Sequence, residues 1–372
     1  MKLFPFEFKK MVLSRKFSVL LLIIVACVIA LFIRNVAFQP VITENALKDI
    51  DDQLQTSDML LRVHQYKLEE DPENEVEKEL KDMLLANINL LNNIKNAVST
   101  DQWQERLIQE NALLKGIATY NEAGGEFPLD TSEIVRQYAL NEKLLDEHIK
   151  PESSTYSMAF PNFMKQVLDF LFHLGAIIMM VILIGDLMTA ELEDHSAKFL
   201  LTQPLKRRHI ITSKFWTAIS AYITVLVVLF LTITIIGSIF GNEGTFQYPI
   251  LIEKNGELAF MTIIEYITFG AIGVSALMIT VISLYLFYSL YLKQTVSTLF
   301  ALLGTLLLGY VATTFISWRF FAWLNPFQYI IPREPLLFQN GTAWYQGLPI
   351  LFLLSVIFYG LAVRKIKTLR IG

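Results

Sequence analysis

Three ionisable side chains stand inside stretches that are otherwise apolar enough to cross a bilayer. Asp169 and His173 lie four residues apart, hence on one face of a helix, and Glu265 opens a second such stretch. Carboxylate and imidazole groups placed there could line a path for a polar cargo, relay protons, or serve an intramembrane transferase or protease. At headgroup level, with water nearby, they would do none of these. A denser set follows: Glu191, Glu193, Pro204, Arg207, Arg208 and Lys214 punctuate a charged, amphipathic segment held between two apolar runs. Such a segment cannot lie in hydrocarbon. It belongs at a membrane face, offering its charges to a soluble partner, or to anionic lipid through Lys206-Arg207-Arg208. Metal and nucleophile chemistry find no support. The five histidines show no zinc-ligand spacing. The single cysteine, Cys27, excludes an internal disulfide and argues against a Cys-based metal site. No Ser/His/Asp or Cys/His constellation stands out. The chain also lacks a Gly-x-x-x-x-Gly-Lys-Ser/Thr loop, so any ATP that drives it is hydrolysed by another subunit, and it binds no cofactor of its own.

The elements that position these groups follow from composition. Of 372 residues, 53% are hydrophobic and only 18% charged, against about 25% charged in soluble domains. Mean hydropathy is +0.45. A helix needs roughly 20 apolar residues to cross a bilayer, and six runs qualify: 17–33, 165–186, 215–241, 263–290, 298–316 and 348–363. The first is long for a signal-peptide core, and no small-x-small cleavage site follows Phe32-Ile33-Arg34, so it stays as a span. Six spans put both termini on one side. The amphipathic N-terminus 1–16 (Phe4, Phe6 and Phe8 with Lys9 and Lys10), the segment 187–214, the loop 291–297 with Lys293, and the tail 364–372 are all basic-rich. The positive-inside rule makes them cytoplasmic in a plasma membrane, and 34–164, 242–262 and 317–347 external.

From Arg34 to Asn162 the chain carries 12 Lys/Arg against 24 Asp/Glu. Within this insert Val76, Leu80, Met83, Leu84, Leu91 and Ile94 recur at helical spacing. Ser99-Thr100-Asp101 offers capping oxygens before Trp103, Leu107 and Leu114. Asp130-Thr131-Ser132-Glu133 could start a further helix bearing Val135, Tyr138 and Leu145. Breaks fall at Asp71-Pro72 and from Gly124-Gly125 to Pro128. The insert is therefore a small helical domain, serving substrate or partner reception or simply extending the first two spans. Its acid run, Glu69-Glu70-Asp71 with Glu73, Glu75, Glu77 and Glu79, could attract cations or be a solvated helix face. The fold class expected is an all-α polytopic membrane protein with six transmembrane helices and a helical extracellular insert between the first two. Gly237 and Gly241 form a Gly-x-x-x-Gly pair that could seat a second copy. Pro326, Pro332 and Pro335 break 317–347 into short re-entrant or interfacial helices.

A helix from Leu187 to about Thr202 would keep Asp186, Glu191, Glu193 and Asp194 in its N-terminal half, where they suit the dipole, and Pro204 would end it. Here the chain resembles the membrane-spanning permease subunit of a bacterial type-2 ATP-binding-cassette exporter. That family carries Glu-x-Glu-x-Gly-Thr-x-x-x-Leu-Leu-x-x-Pro-x-x-Arg-x-x-(Ile/Leu)-x-x-x-Lys after its second span. This sequence matches at Glu191, Glu193, Leu200, Leu201, Pro204, Leu205, Arg207, Arg208, Ile210 and Lys214, and has His195-Ser196 in place of Gly-Thr. The Asn325-Pro326-Phe327 triplet and the six-span layout are similar as well. The resemblance implies a coupling helix at 187–214 seated on an ATPase subunit, a second permease copy or paralogue, and ATP on the partner. The cargo stays open among peptides, bacteriocins, antibiotics, lipids and ions. A membrane sensor or scaffold with a helical receptor domain is the alternative, and an intramembrane enzyme using Asp169, His173 or Glu265 ranks last.

Overall fold

The computed structural model describes residues 3–194, 196, 206–254, 256–315 and 322–368. Among them, six helices are long and apolar enough to cross a membrane: α2 (Arg15–Ala37), α7 (Phe160–Glu193), α8 (Arg208–Phe240), α9 (Ile263–Leu292), α10 (Thr295–Phe315) and α12 (Trp344–Thr368). Each extends past the apolar run that marks it, because polar residues at the ends continue the backbone ladder. The most apolar windows of α7 and α9 are 61% and 56% buried, those of the other four between 11% and 22%. These two helices are thus the centre of the bundle, and the rest pack around them. Leu22, Val227, Leu231, Phe300, Leu308 and Phe352 stay exposed. An apolar surface of that extent suits hydrocarbon, not water.

The short amphipathic helix α1 (Phe4–Val12) precedes α2, whose start is capped by Ser14 accepting from the Phe17 amide at 3.2 Å. At Phe38 the backbone leaves helical geometry, and Pro40 then occupies the first turn of α3 (Gln39–Glu70), where a missing N–H costs nothing. With α4 (Glu75–Ser99), α5 (Trp103–Glu122) and α6 (Thr131–Asp146), α3 makes a helical lobe. It has its own core, in which Leu80, Leu84, Leu91 and Ile94 of α4 meet Leu113, Leu114 and Ile117 of α5. Val76, by contrast, is exposed.

One expectation for the lobe needs correction. Ser99 and Thr100 do not cap α5; their hydroxyls donate back to Lys95 O and Asn96 O of α4 at 2.9 Å, and Gln102 stands at the N-cap. The helix expected from Asp130-Thr131-Ser132-Glu133 is α6, with Asp130 at its N-cap; Ile134, Asn141 and Leu144 are its buried positions and Tyr138 packs partly buried against the lobe core.

The fold is not purely helical. Residues 242–262, expected as a loop, hold an antiparallel hairpin of β1 (Pro249–Lys254) and β2 (Glu257–Thr262), with Ile252 opposite Ala259. Gly256 at its tip has φ +83°, the left-handed backbone that a tight hairpin turn requires. Before α11 (Arg333–Leu336) and after it the chain runs in short 3-10 turns at Ala322–Leu324, Pro326–Tyr329 and Gln339–Gly341, as the prolines demand. Residues 316–321 of the aromatic stretch lie outside the described residues. The Gly237–Gly241 pair is occupied within the chain. A Cβ on Gly237 would stand 2.4 Å from the Phe160 ring, and one on Gly241 2.8 Å from Met158 O. The close approach therefore serves the start of α7, not a second copy.

Candidate functional site

The charged segment after α7 is anchored from within. Glu191 is 9% exposed and Lys214 only 1%, so neither offers its charge to a partner as the sequence pattern suggested. Lys214 Nζ donates to Glu191 Oε1 at 2.6 Å and to Glu7 Oε2 at 2.8 Å, and Lys10 Nζ reaches the same Glu191 oxygen at 3.1 Å. Two carboxylates and two ammonium groups thus neutralise one another where α1, α7 and α8 meet. Around Lys214, Glu7 and Glu191 burial excludes the solvent that would otherwise compete, and their pairing makes it tolerable, while the Lys10 side chain stays largely exposed. Burial alone would lower the Lys10 pKa, but the Glu191 carboxylate it bonds, with Glu7 and Asp186 nearby, outweighs that and raises it. At the edge of the cluster Lys16 pairs with Asp186 at 2.7 Å.

Glu193 has a different task. Its Oε1 accepts from the Thr295 amide at 2.5 Å and its Oε2 from the Thr295 hydroxyl at 3.0 Å. This satisfies an orphan donor of the first turn of α10 and sets a negative charge at the positive end of that helix. Thr189, one turn earlier, meets the Thr295 hydroxyl at 2.7 Å. Arg207 donates to Lys367 O at 3.1 Å, close to the end of α12. Lys206 and Arg208 are exposed. Pro204, along with His195 and residues 197–205, lies outside the described residues, so the expected helix to Thr202 is followed only through Glu193.

At the opposite end of α7 the three intramembrane candidates separate. Asp169 accepts from Lys165 Nζ at 2.9 Å and from the Tyr266 hydroxyl of α9. His173 interrupts the helix inside a π-type turn, Leu171–Gly175, with ψ −134°. A π-type turn of this kind releases backbone groups from the regular ladder and re-aims the side chain. There the His173 Nε2 receives a hydrogen bond from Arg333 Nη1 at 2.7 Å. The guanidinium can only donate, so that nitrogen carries no proton. Glu265 does not join them. It closes a capping box with Thr262 at the start of α9, accepting from the Thr262 amide at 2.8 Å. An acid–base constellation of Asp169, His173 and Glu265 is therefore not assembled.

Sequence reasoning missed Glu7, Lys10, Lys165, Tyr266 and Arg333 as partners. Lys165 and Asp169 could have been paired from their i, i+4 spacing. The others are contributed by elements 70 or more positions away, and no local pattern marks them.

The family profile described as ABC-2 family transporter protein matches residues 1–329. No curated protein and no solved structure matches the chain.

Proposed function

The chain belongs to the ABC-2 family of transporter membrane proteins, and from that premise we propose that it is the permease of an exporter whose segment 187–214 transmits ATP-driven motion to the spans. It is a multi-pass membrane protein, and permeases of this family lack an ATPase domain. A separate ATPase subunit therefore supplies the hydrolysis. Its docking surface includes the exposed basic end of the segment, Lys206 and Arg208. The termini and this segment face the cytoplasm, the lobe 34–164 faces outward, and two permeases complete the path.

One observation carries this reading. The two ends of the segment are fixed to four other elements at once: Glu191 to α1 and α8, Glu193 to α10, and Arg207 to the end of α12. A push delivered to either end is carried by these bonds. It reaches α8, α10 and α12 as a rigid displacement. Glu191, Glu193 and Lys214 accordingly act as the joint, and Arg208 acts as the contact.

Cysteine cross-linking tests the division. In a Cys27→Ser background, Arg208→Cys should cross-link to the ATPase subunit in native membranes. Arg208→Glu should weaken co-purification about tenfold, equivalent to ~1.4 kcal/mol. Glu191→Gln should leave co-purification intact while lowering transport per ATP hydrolysed. Cross-links that never reach an ATPase would remove the coupling assignment.

A further inference from the structure

We propose that the lobe carries a binding cleft for a cationic amphipathic peptide, at the junction of α3, α5 and α6 with the turn at 153–156. The cleft encloses about 570 Å³, inside the range of ligand-binding pockets, which runs from about 300 to 1,000 Å³. Its floor is apolar: Ile50, Ile94, Leu114 and Ile117 belong to the buried core of the lobe and show one edge to the cleft. Its walls carry three carboxylates, Asp49, Glu110 and Glu133, against one guanidinium, Arg106. Arg106 Nε donates to Glu110 Oε1 at 2.6 Å, and Asn141 donates to the other oxygen of Glu110 at 3.2 Å. That leaves Asp49 and Glu133 with no ion-pair partner among the described residues. The surrounding insert, with 12 basic against 24 acidic residues, deepens the negative potential, and a concave wall focuses it.

The chemistry of the lining selects the ligand class. An apolar floor takes Leu- or Ile-like side chains, and Asp49 and Glu133 take Lys or Arg. Asn45, Gln53, Gln137, Ser153 and Thr155 also face the cleft. A small hydrophobic cation would leave these amides and hydroxyls without protein-like partners, whereas a peptide backbone supplies an N–H and a C=O at each residue. The inference goes beyond the proposed function. Binding to the purified chain does not depend on which side of the membrane the lobe faces, or on any ATPase.

Fluorescence anisotropy on the full chain in phosphatidylcholine nanodiscs is the test. The probe is a labelled short peptide of alternating Lys and Leu, read against empty nanodiscs. The wild-type chain should bind it, and a Glu/Leu counterpart should not compete. Asp49→Lys with Glu133→Lys should weaken binding at least about tenfold. Ala46→Trp, which fills the cleft without altering charge, should weaken it similarly. Glu69→Lys with Glu70→Lys makes the same charge change at the far tip of α3 and should shift affinity only a few-fold. Equal losses from the distal pair, or no loss from Ala46→Trp, would overturn the cleft. Competition by tetraphenylphosphonium as strong as that of unlabelled peptide would overturn the peptide assignment.

Discussion

The two ends of α7 hold the same kinds of side chain in opposite circumstances. At one end Glu191, Lys214 and Glu7 are all within 9% exposure, and Lys214 bridges the two carboxylates, although Glu191 Oε2 is left without a hydrogen-bond partner. At the other, Lys165 and Asp169 keep about a fifth of their side-chain surface open, and the helix itself is interrupted at His173. Burial, more than residue type, sets what each cluster can do. The buried cluster ties α1, α7 and α8 together through Lys214, which bonds Glu7 and Glu191 at once. The open cluster sits on a turn whose backbone bonds are already irregular, and Arg333 and Tyr266 reach it from two different elements. It is the place where α7 can yield.

The sharpest way to break this contrast is to empty the buried cluster. Lys214→Met should destabilise the purified protein by ~3–5 kcal/mol, because it leaves the buried Glu7 without its cation and Glu191 with Lys10 alone. Thermal unfolding in detergent reads this, and adding Glu7→Gln should recover part of the loss. A Lys214→Met protein of unchanged stability would mean that the cluster is hydrated. A smaller effect is expected from the open end. Tyr266→Phe removes one hydrogen bond to Asp169 while Lys165 remains, so the same measurement should show about 1–2 kcal/mol. If the two substitutions cost the same, the distinction between the ends fails.

The smallest effect belongs to a third cluster, in the lobe, which serves as the comparison in water. Glu77 accepts from Lys67 Nζ at 2.8 Å and from His64 Nδ1 at 2.5 Å. The Lys67 bond, then that from His64, holds its carboxyl below the ordinary 4.5. A depressed carboxylate stabilises the fold above its unfolded value and loses that contribution as pH falls through the folded one. Lobe stability, followed by circular dichroism under mild denaturant, should therefore decline below about pH 4.5, and Glu77→Gln should flatten the decline. A decline of equal depth in the variant would assign it to other carboxylates.

Much of the fold was legible because hydropathy integrates over twenty residues and tolerates local error. The six spans, the break at Asp71-Pro72, the helical insert and the short turns around Pro326 and Pro332 all follow from such sums. The hairpin at Pro249–Thr262 was signalled by Asn255-Gly256 between β-prone runs, a mark that is easily passed over beside long apolar helices. The charged segment after α7 was visible as a motif, but the burial of its charges was not. Glu191 and Lys214 look like surface charges in sequence because nothing local shows that α1 folds over them.

The amino-acid order alone decided which segments must avoid water and which must meet it, since the transfer free energy of a residue depends little on its distant neighbours. Only the tertiary structure decided which charges face outward. The energy of an ionised group depends on what stands within a few ångströms of it. For Glu191 and Lys214 that shell is supplied by Glu7 and Lys10, almost two hundred residues away along the chain.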